Sequence, residues 1–129
     1  MVNIRQSFDK ILRQWGHNIL LQRRISTPDD IEPRYANTLE KHTVRHRYPA
    51  NRSLGSVLEY EQQGQLHAVD MIYYFRHDAS PREGDRIYED DPRFEEGPTL
   101  WLVDYSLPLR GRNGVIDYWT VGVTREYRP

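Results

Sequence analysis

The C-terminal half of the chain alternates in polarity with a period of two residues, and this alternation commits it to β-structure. Val69, Met71, Tyr73 and Phe75 share one face of an extended segment. Trp101, Val103, Tyr105 and Leu107 do so in the next, and Val115, Trp119, Val121 and Val123 in the last. Between them the chain turns at Arg82-Glu83-Gly84-Asp85, ahead of Arg86-Ile87-Tyr88, and breaks at Asp90-Asp91-Pro92 and Gly97-Pro98, ahead of Thr99. The segment Arg110 to Gly114 ends in Asn113-Gly114, a hairpin signal because both residues tolerate positive φ. That hairpin sets Trp101 and Trp119 on adjacent strands, so both rings are expected in the core. The expectation is a small β-structure with one aromatic-rich face.

The N-terminal half starts with a helical pattern over about residues 3–15. Ile4, Phe8, Ile11, Leu12 and Trp15 form one apolar stripe, Arg5, Asp9, Lys10 and Arg13 take the other side, and Gly16 offers a stop. Asn18 to Ile25 reads as a first strand. The loop Ser26 to Pro33, with two prolines and three acids, holds neither helix nor sheet for long. Thr38 to Tyr48 alternates again, with Lys41, Thr43, Arg45 and Arg47 on one face and His42, Val44, His46 and Tyr48 on the other. Pro49 ends it. Residues of about 49–67 are the least patterned: they contain Gly55 and Gly64, with an apolar island at Val57, Leu58 and Tyr60. A mobile loop and an exposed hairpin both fit that stretch.

A chain of 129 residues suits one domain, here covering residues 1–129 with strands over about 17–126. Without cysteine it has neither disulfides nor thiolate metal sites, so nothing points to an oxidising compartment. No apolar run approaches the roughly 18 residues of a membrane span, and no secretory h-region opens the chain; a soluble protein made in a cytoplasm is expected. The net charge of −1 conceals an asymmetry. Residues 1–58 carry 10 Lys+Arg against 5 Asp+Glu, whereas residues 59–129 carry 8 against 14. If the halves form different surfaces, copies can meet head to tail and close into a ring. Of the cationic residues 16 are Arg and only Lys10 and Lys41 are Lys, a bias that suits contact surfaces because guanidinium pairs bidentately and is weakly hydrated.

Catalytic chemistry has no candidate in the sequence, and neither a metal nor a cofactor is expected. His42 and His46 share a strand face, but that spacing sets them about 13 Å apart, too far to share an ion. His77 and Asp78 beside Asp85, Asp90 and Asp91 match no calcium loop. Ser53, Ser56, Ser80 and Ser106 lack a nucleophile-elbow pattern, and no glycine loop cradles a phosphate. The basic row Lys41, Arg45 and Arg47, with Arg52 nearby, has two readings: a subunit-facing strand, or a surface lining a channel that holds nucleic acid.

The order of helix, strand, loop, strand, variable loop and closing strands resembles the head-closure or stopper proteins of tailed bacteriophages, also called head-tail connector or head-tail joining proteins. The residues that carry it are Val69 to Arg76, Arg82-Glu83-Gly84-Asp85-Arg86-Ile87, Trp101 to Tyr105 and Tyr118 to Arg125, and it covers roughly residues 15–126. The resemblance implies an all-β fold, a small β-barrel of about six strands, here with one N-terminal α-helix. It implies a virion protein of the neck, assembled in the host cytoplasm as a ring of six or twelve copies. Its partners would be the portal or adaptor ring and the tail terminator or tail tube, with packaged DNA in the channel as a further contact. It also implies a gating or contact loop, which here falls on Asn51, Arg52, Leu54, Val57, Leu58 and Tyr60. Another small virion ring protein, such as a tail-completion, terminator or baseplate component, and a nucleic-acid-binding barrel remain alternatives.

Overall fold

The computed structural model of the chain describes residues 3–26, 31–49, 69–92, 97–111 and 113–126. A helix, α1 (Ile4–Trp15), precedes six strands: β1 (His17–Arg24), β2 (Tyr35–Arg47), β3 (Met71–Arg76), β4 (Arg86–Glu89), β5 (Thr99–Arg110) and β6 (Ile116–Arg125). The strands close into an antiparallel barrel in the order β1-β2-β3-β6-β5-β4, with β4 returning to β1. The all-β barrel with one N-terminal helix expected from the sequence is the fold the chain adopts. Two three-stranded meanders, β1-β2-β3 and β4-β5-β6, form the wall; β3 pairs with β6 on one side and β1 with β4 on the other. Because β4 pairs with β1 as well as with β5, the sheet closes on itself and has no outermost strand.

Alternation along each strand fills the interior. Ile19 and Leu21 of β1, Val44 of β2, Met71, Tyr73 and Phe75 of β3, Ile87 of β4, Trp101 and Val103 of β5 and Val121 and Val123 of β6 form one buried cluster. Trp119 packs against it partly buried and donates its Nε1–H to the His77 carbonyl at 3.0 Å. In β2 the expected phase holds: Lys41, Thr43, Arg45 and Arg47 are exposed, and Val44 faces the core. That strand begins at Tyr35 rather than Thr38, because the β1 pairing runs on through an irregularity between Gln22 and Arg24 to the Arg24–Tyr35 pair.

Three expectations need correction. In β5 the register shifts between Val103 and Tyr105. The extra residue there, Asp104, reverses the alternation, so Tyr105 and Leu107 leave the barrel interior and join Val69, Ile72 and Tyr74 in a second cluster. The Tyr105 ring lies where Gly122 has no side chain: a Cβ on Gly122 would stand 1.8 Å from Tyr105 Cε1. Val115 does not continue the inward face of β6. It precedes the strand and is exposed, in a hairpin whose only positive φ among the described residues is that of Gly114, at 72°.

The helical stripe, third, is wider than the surface it meets. Of its residues only Phe8 and Leu12 are buried, while Ile4, Ile11 and Trp15 stay exposed. One face of α1 lies along the outer wall, where Phe8 stacks on Tyr118 with 4.7 Å between ring centroids. Arg5 donates to the Ile116 carbonyl at 2.6 and 3.1 Å, and Arg45 donates to the Trp15 carbonyl at 3.0 Å. Asn3 caps the helix N-terminus by accepting from the Gln6 amide at 3.3 Å. Gly16 joins α1 directly to β1, and a Cβ there would stand 2.4 Å from the Leu12 carbonyl oxygen and 2.7 Å from Thr43 Cγ2.

Truncation of the fully buried Trp101 to alanine is expected to cost about 3–5 kcal/mol. Gly122→Ala is expected to cost about as much as severe overpacking, roughly 3 kcal/mol or more, and to cost much less in a Tyr105→Ser background. Denaturant melts of the four variants check this; equal Gly122→Ala penalties in both backgrounds would mean that the ring is not what excludes a side chain.

Candidate functional site at one end of the barrel

The strand directions bring polar side chains together at one end of the barrel. β1 starts there with His17, β2 approaches its end with His46, β4 ends with Glu89, and Tyr73 lies early in β3. All four point inward. His17 and Glu89 are buried, Tyr73 fully so, and His46 is half-buried. His17 Nε2 and Glu89 Oε1 are 2.5 Å apart, within hydrogen-bond contact. The Tyr73 hydroxyl donates to the same Oε1 at 3.0 Å, and the Asp91 amide approaches Oε2 at 3.4 Å. His46 meets His17 edge to face, with centroids 4.8 Å apart and planes at 88°.

Burial disfavours charge at this end unless a partner compensates it. Burial first, and then the Glu89 charge, pushes the Tyr73 hydroxyl far above its ordinary value, so it remains a donor. Burial, followed by the neighbouring His17, pushes the His46 imidazole below its ordinary value, which favours the neutral ring. One potential ligand atom from each of His17, His46 and Glu89 lies within 4.8 Å of the others. The sequence reading missed this trio because its members are far apart in the chain and on three strands. Spacing along β2 alone relates His46 only to His42. His42 instead packs its ring against Phe75, at 5.7 Å between centroids, and bonds Glu40 at 3.1 Å. The signal available in the sequence was the inward phase of His46, joined to the partner strand it would face.

The opposite end is closed by the crossing from β3 to β4. Ala79 enters the core, and the buried Asp85 accepts from the Arg24 amide at 2.8 Å and the Arg82 amide at 2.9 Å. Arg23 reaches across to the Ser80 carbonyl at 2.6 Å, to the Ala79 carbonyl and to both Glu40 oxygens, at 2.8 and 3.1 Å. The Glu40 carboxyl is accordingly held below its ordinary value, first by the hydrogen bond from Arg23. Asp78 pairs with Arg76 at 3.6 Å, so Asp78 and Asp85 serve separate turns.

The basic row occupies the outer wall. Lys41 is exposed; Arg45 holds the end of α1, and Arg47 donates to the Tyr74 hydroxyl at 2.6 Å. Of the four expected contact residues, Arg45 and Arg47 are thus bonded within the chain. Arg52 and the candidate loop residues Asn51, Leu54, Val57, Leu58 and Tyr60 lie outside the described residues. Asp85, Glu89 and Asp117 are buried and Glu126 pairs with Arg86 at 2.6 Å, so part of the acidic excess of the second half works inside the fold.

Together these features define a small closed antiparallel barrel with an external helix and a polar, histidine-containing end. No protein-family model, curated protein or solved structure matches the chain. Among the described residues, no helix is long and apolar enough to cross a membrane.

Glu89→Ala would strand the His17 ring and the Tyr73 hydroxyl and is expected to destabilise the barrel by about 3–5 kcal/mol. Replacing all three partners together, with His17→Leu, Tyr73→Phe and Glu89→Leu, should recover most of that loss. A triple variant no more stable than Glu89→Ala would show that shape, rather than unmet hydrogen bonding, sets the penalty.

Proposed function

We propose that the protein is a structural ring subunit of a tailed-phage neck, of the head-closure or stopper type, joining the portal-adaptor complex to the tail and retaining packaged DNA. The observation that carries this reading is the closed six-stranded barrel with its N-terminal helix outside, in an element order that resembles that family. A second support is the outward side of α1. Ile4, Ile11 and Trp15 remain exposed, and Ile4 and Ile11 border a groove completed by Phe8, Tyr74, Tyr118 and Arg45. An apolar helix face beside a groove suits a contact between copies, the side of one subunit meeting a different side of the next.

The alternative of a nucleic-acid-binding barrel draws less support, because Arg45 and Arg47 are engaged within the chain. Lys41 is the better probe of an outward role for the basic row, since reversing Arg45 or Arg47 also removes an internal bond. Charge reversal at Lys41 separates a channel surface from a subunit contact: DNA leakage from intact rings marks the first, failed assembly the second.

The neck reading predicts a ring of six or twelve copies in the particle, with Ile11→Glu and Trp15→Glu yielding folded protein that does not assemble. Imaging of assembled necks together with circular dichroism of the variants checks both statements. A single asymmetric copy, an isologous dimer, or normal rings from both variants would refute it.

A further inference from the structure

We propose that His17, His46 and Glu89 form a binding site for a divalent transition cation of the zinc class. The three residues come from β1, β2 and β4, so closure of the barrel, rather than a flexible loop, sets their positions. Their ligand atoms already lie within 4.8 Å of one another, with His17 Nε2 and Glu89 Oε1 at 2.5 Å. Tetrahedral ligands about 2.0–2.1 Å from an ion stand roughly 3.3–3.5 Å apart, inside the range these atoms span. The pair now in hydrogen-bond contact must open by about 1 Å, which side-chain rotation supplies.

The donor set selects the ion. Two imidazoles and one carboxylate suit zinc, cobalt, nickel or copper, whereas calcium and magnesium require a shell of oxygen ligands and this trio supplies a single carboxylate. Outer support is also in place. Tyr73 donates to Glu89 Oε1 and orients the carboxylate, as hydrogen-bonded partners of metal ligands do. On binding, the ion takes the place of the direct His17–Glu89 hydrogen bond, and the hydrogen-bonding proton leaves to solvent. Among the described residues three ligands are supplied, which leaves a fourth coordination position on the side of His46, the most exposed of the three. The ion would tie β1 to both of its neighbours, β2 and β4. This inference does not depend on the neck assignment.

The test uses tag-free full-length protein, stripped with chelator and titrated with zinc chloride or cobalt chloride. The expected result is one ion per chain, a raised melting temperature and, with cobalt, the visible absorption of a tetrahedral nitrogen–oxygen site. His46→Gln leaves the His17–Glu89 bond in place; it should melt like the stripped wild type yet lose the metal-induced rise. Tyr73→Phe should weaken binding about 10–100-fold. If His46→Gln does not fold, cobalt-shifted ring protons of His17 and His46 in the wild-type spectrum decide the matter: shifts at both support the site, and their absence overturns it. Binding with no stoichiometric endpoint, or a metal-induced rise that survives His46→Gln, also overturns it.

Discussion

The barrel depends on the seam between β1 and β4. β4 has only four residues, and its pairing with β1 is limited to Leu20–Tyr88, Leu21–Ile87 and Gln22–Arg86. So short a ladder must hold the two meanders in a closed ring, and polar side chains extend it at both ends. At one end His17 bonds Glu89; at the other the Arg24 amide bonds the Asp85 carboxylate. Between them the Tyr88 hydroxyl donates to the Gln22 side chain at 3.2 Å. These bonds satisfy polar groups at the two ends of the seam, so the interior between them can be apolar.

Strand identity was legible because burial on one face imposes a period of two, and the barrel preserves that period over most of its length. The phase of β2 was read correctly for this reason. The phase of β5 was not, because a bulge at Asp104 leaves no mark in a sequence that continues to alternate; the visible clue was Gly122, a residue without a side chain in the middle of a strand. The helix was legible as an amphipathic pattern. How much of its stripe would be buried depends on the width of the wall beneath it, which is a tertiary property.

The polar end of the barrel was illegible for a different reason. His17, His46, Tyr73 and Glu89 meet only because four strands start or end at the same level, so no local spacing reveals them. Local motifs fared better at the other end. Gly84-Asp85 stood out as a turn, and Asp85 bonds Arg82 within it and Arg24 at the end of β1. Charge asymmetry between the halves was real in composition but weaker as a surface property, since several acidic side chains point inward or pair at short range.

The junction at Gly16 has a mechanical consequence. A single residue separates the last turn of α1 from His17, and the Gly16 amide still bonds the Leu12 carbonyl at 2.9 Å, where the helix and Thr43 leave no room for a side chain. The helix and the first strand therefore behave as one bent lever rather than as two parts on a hinge. A load applied along α1 meets its ties to β6 and β2 first, and once those give way it falls on the start of β1, where His17 bonds Glu89, with no linker to absorb it.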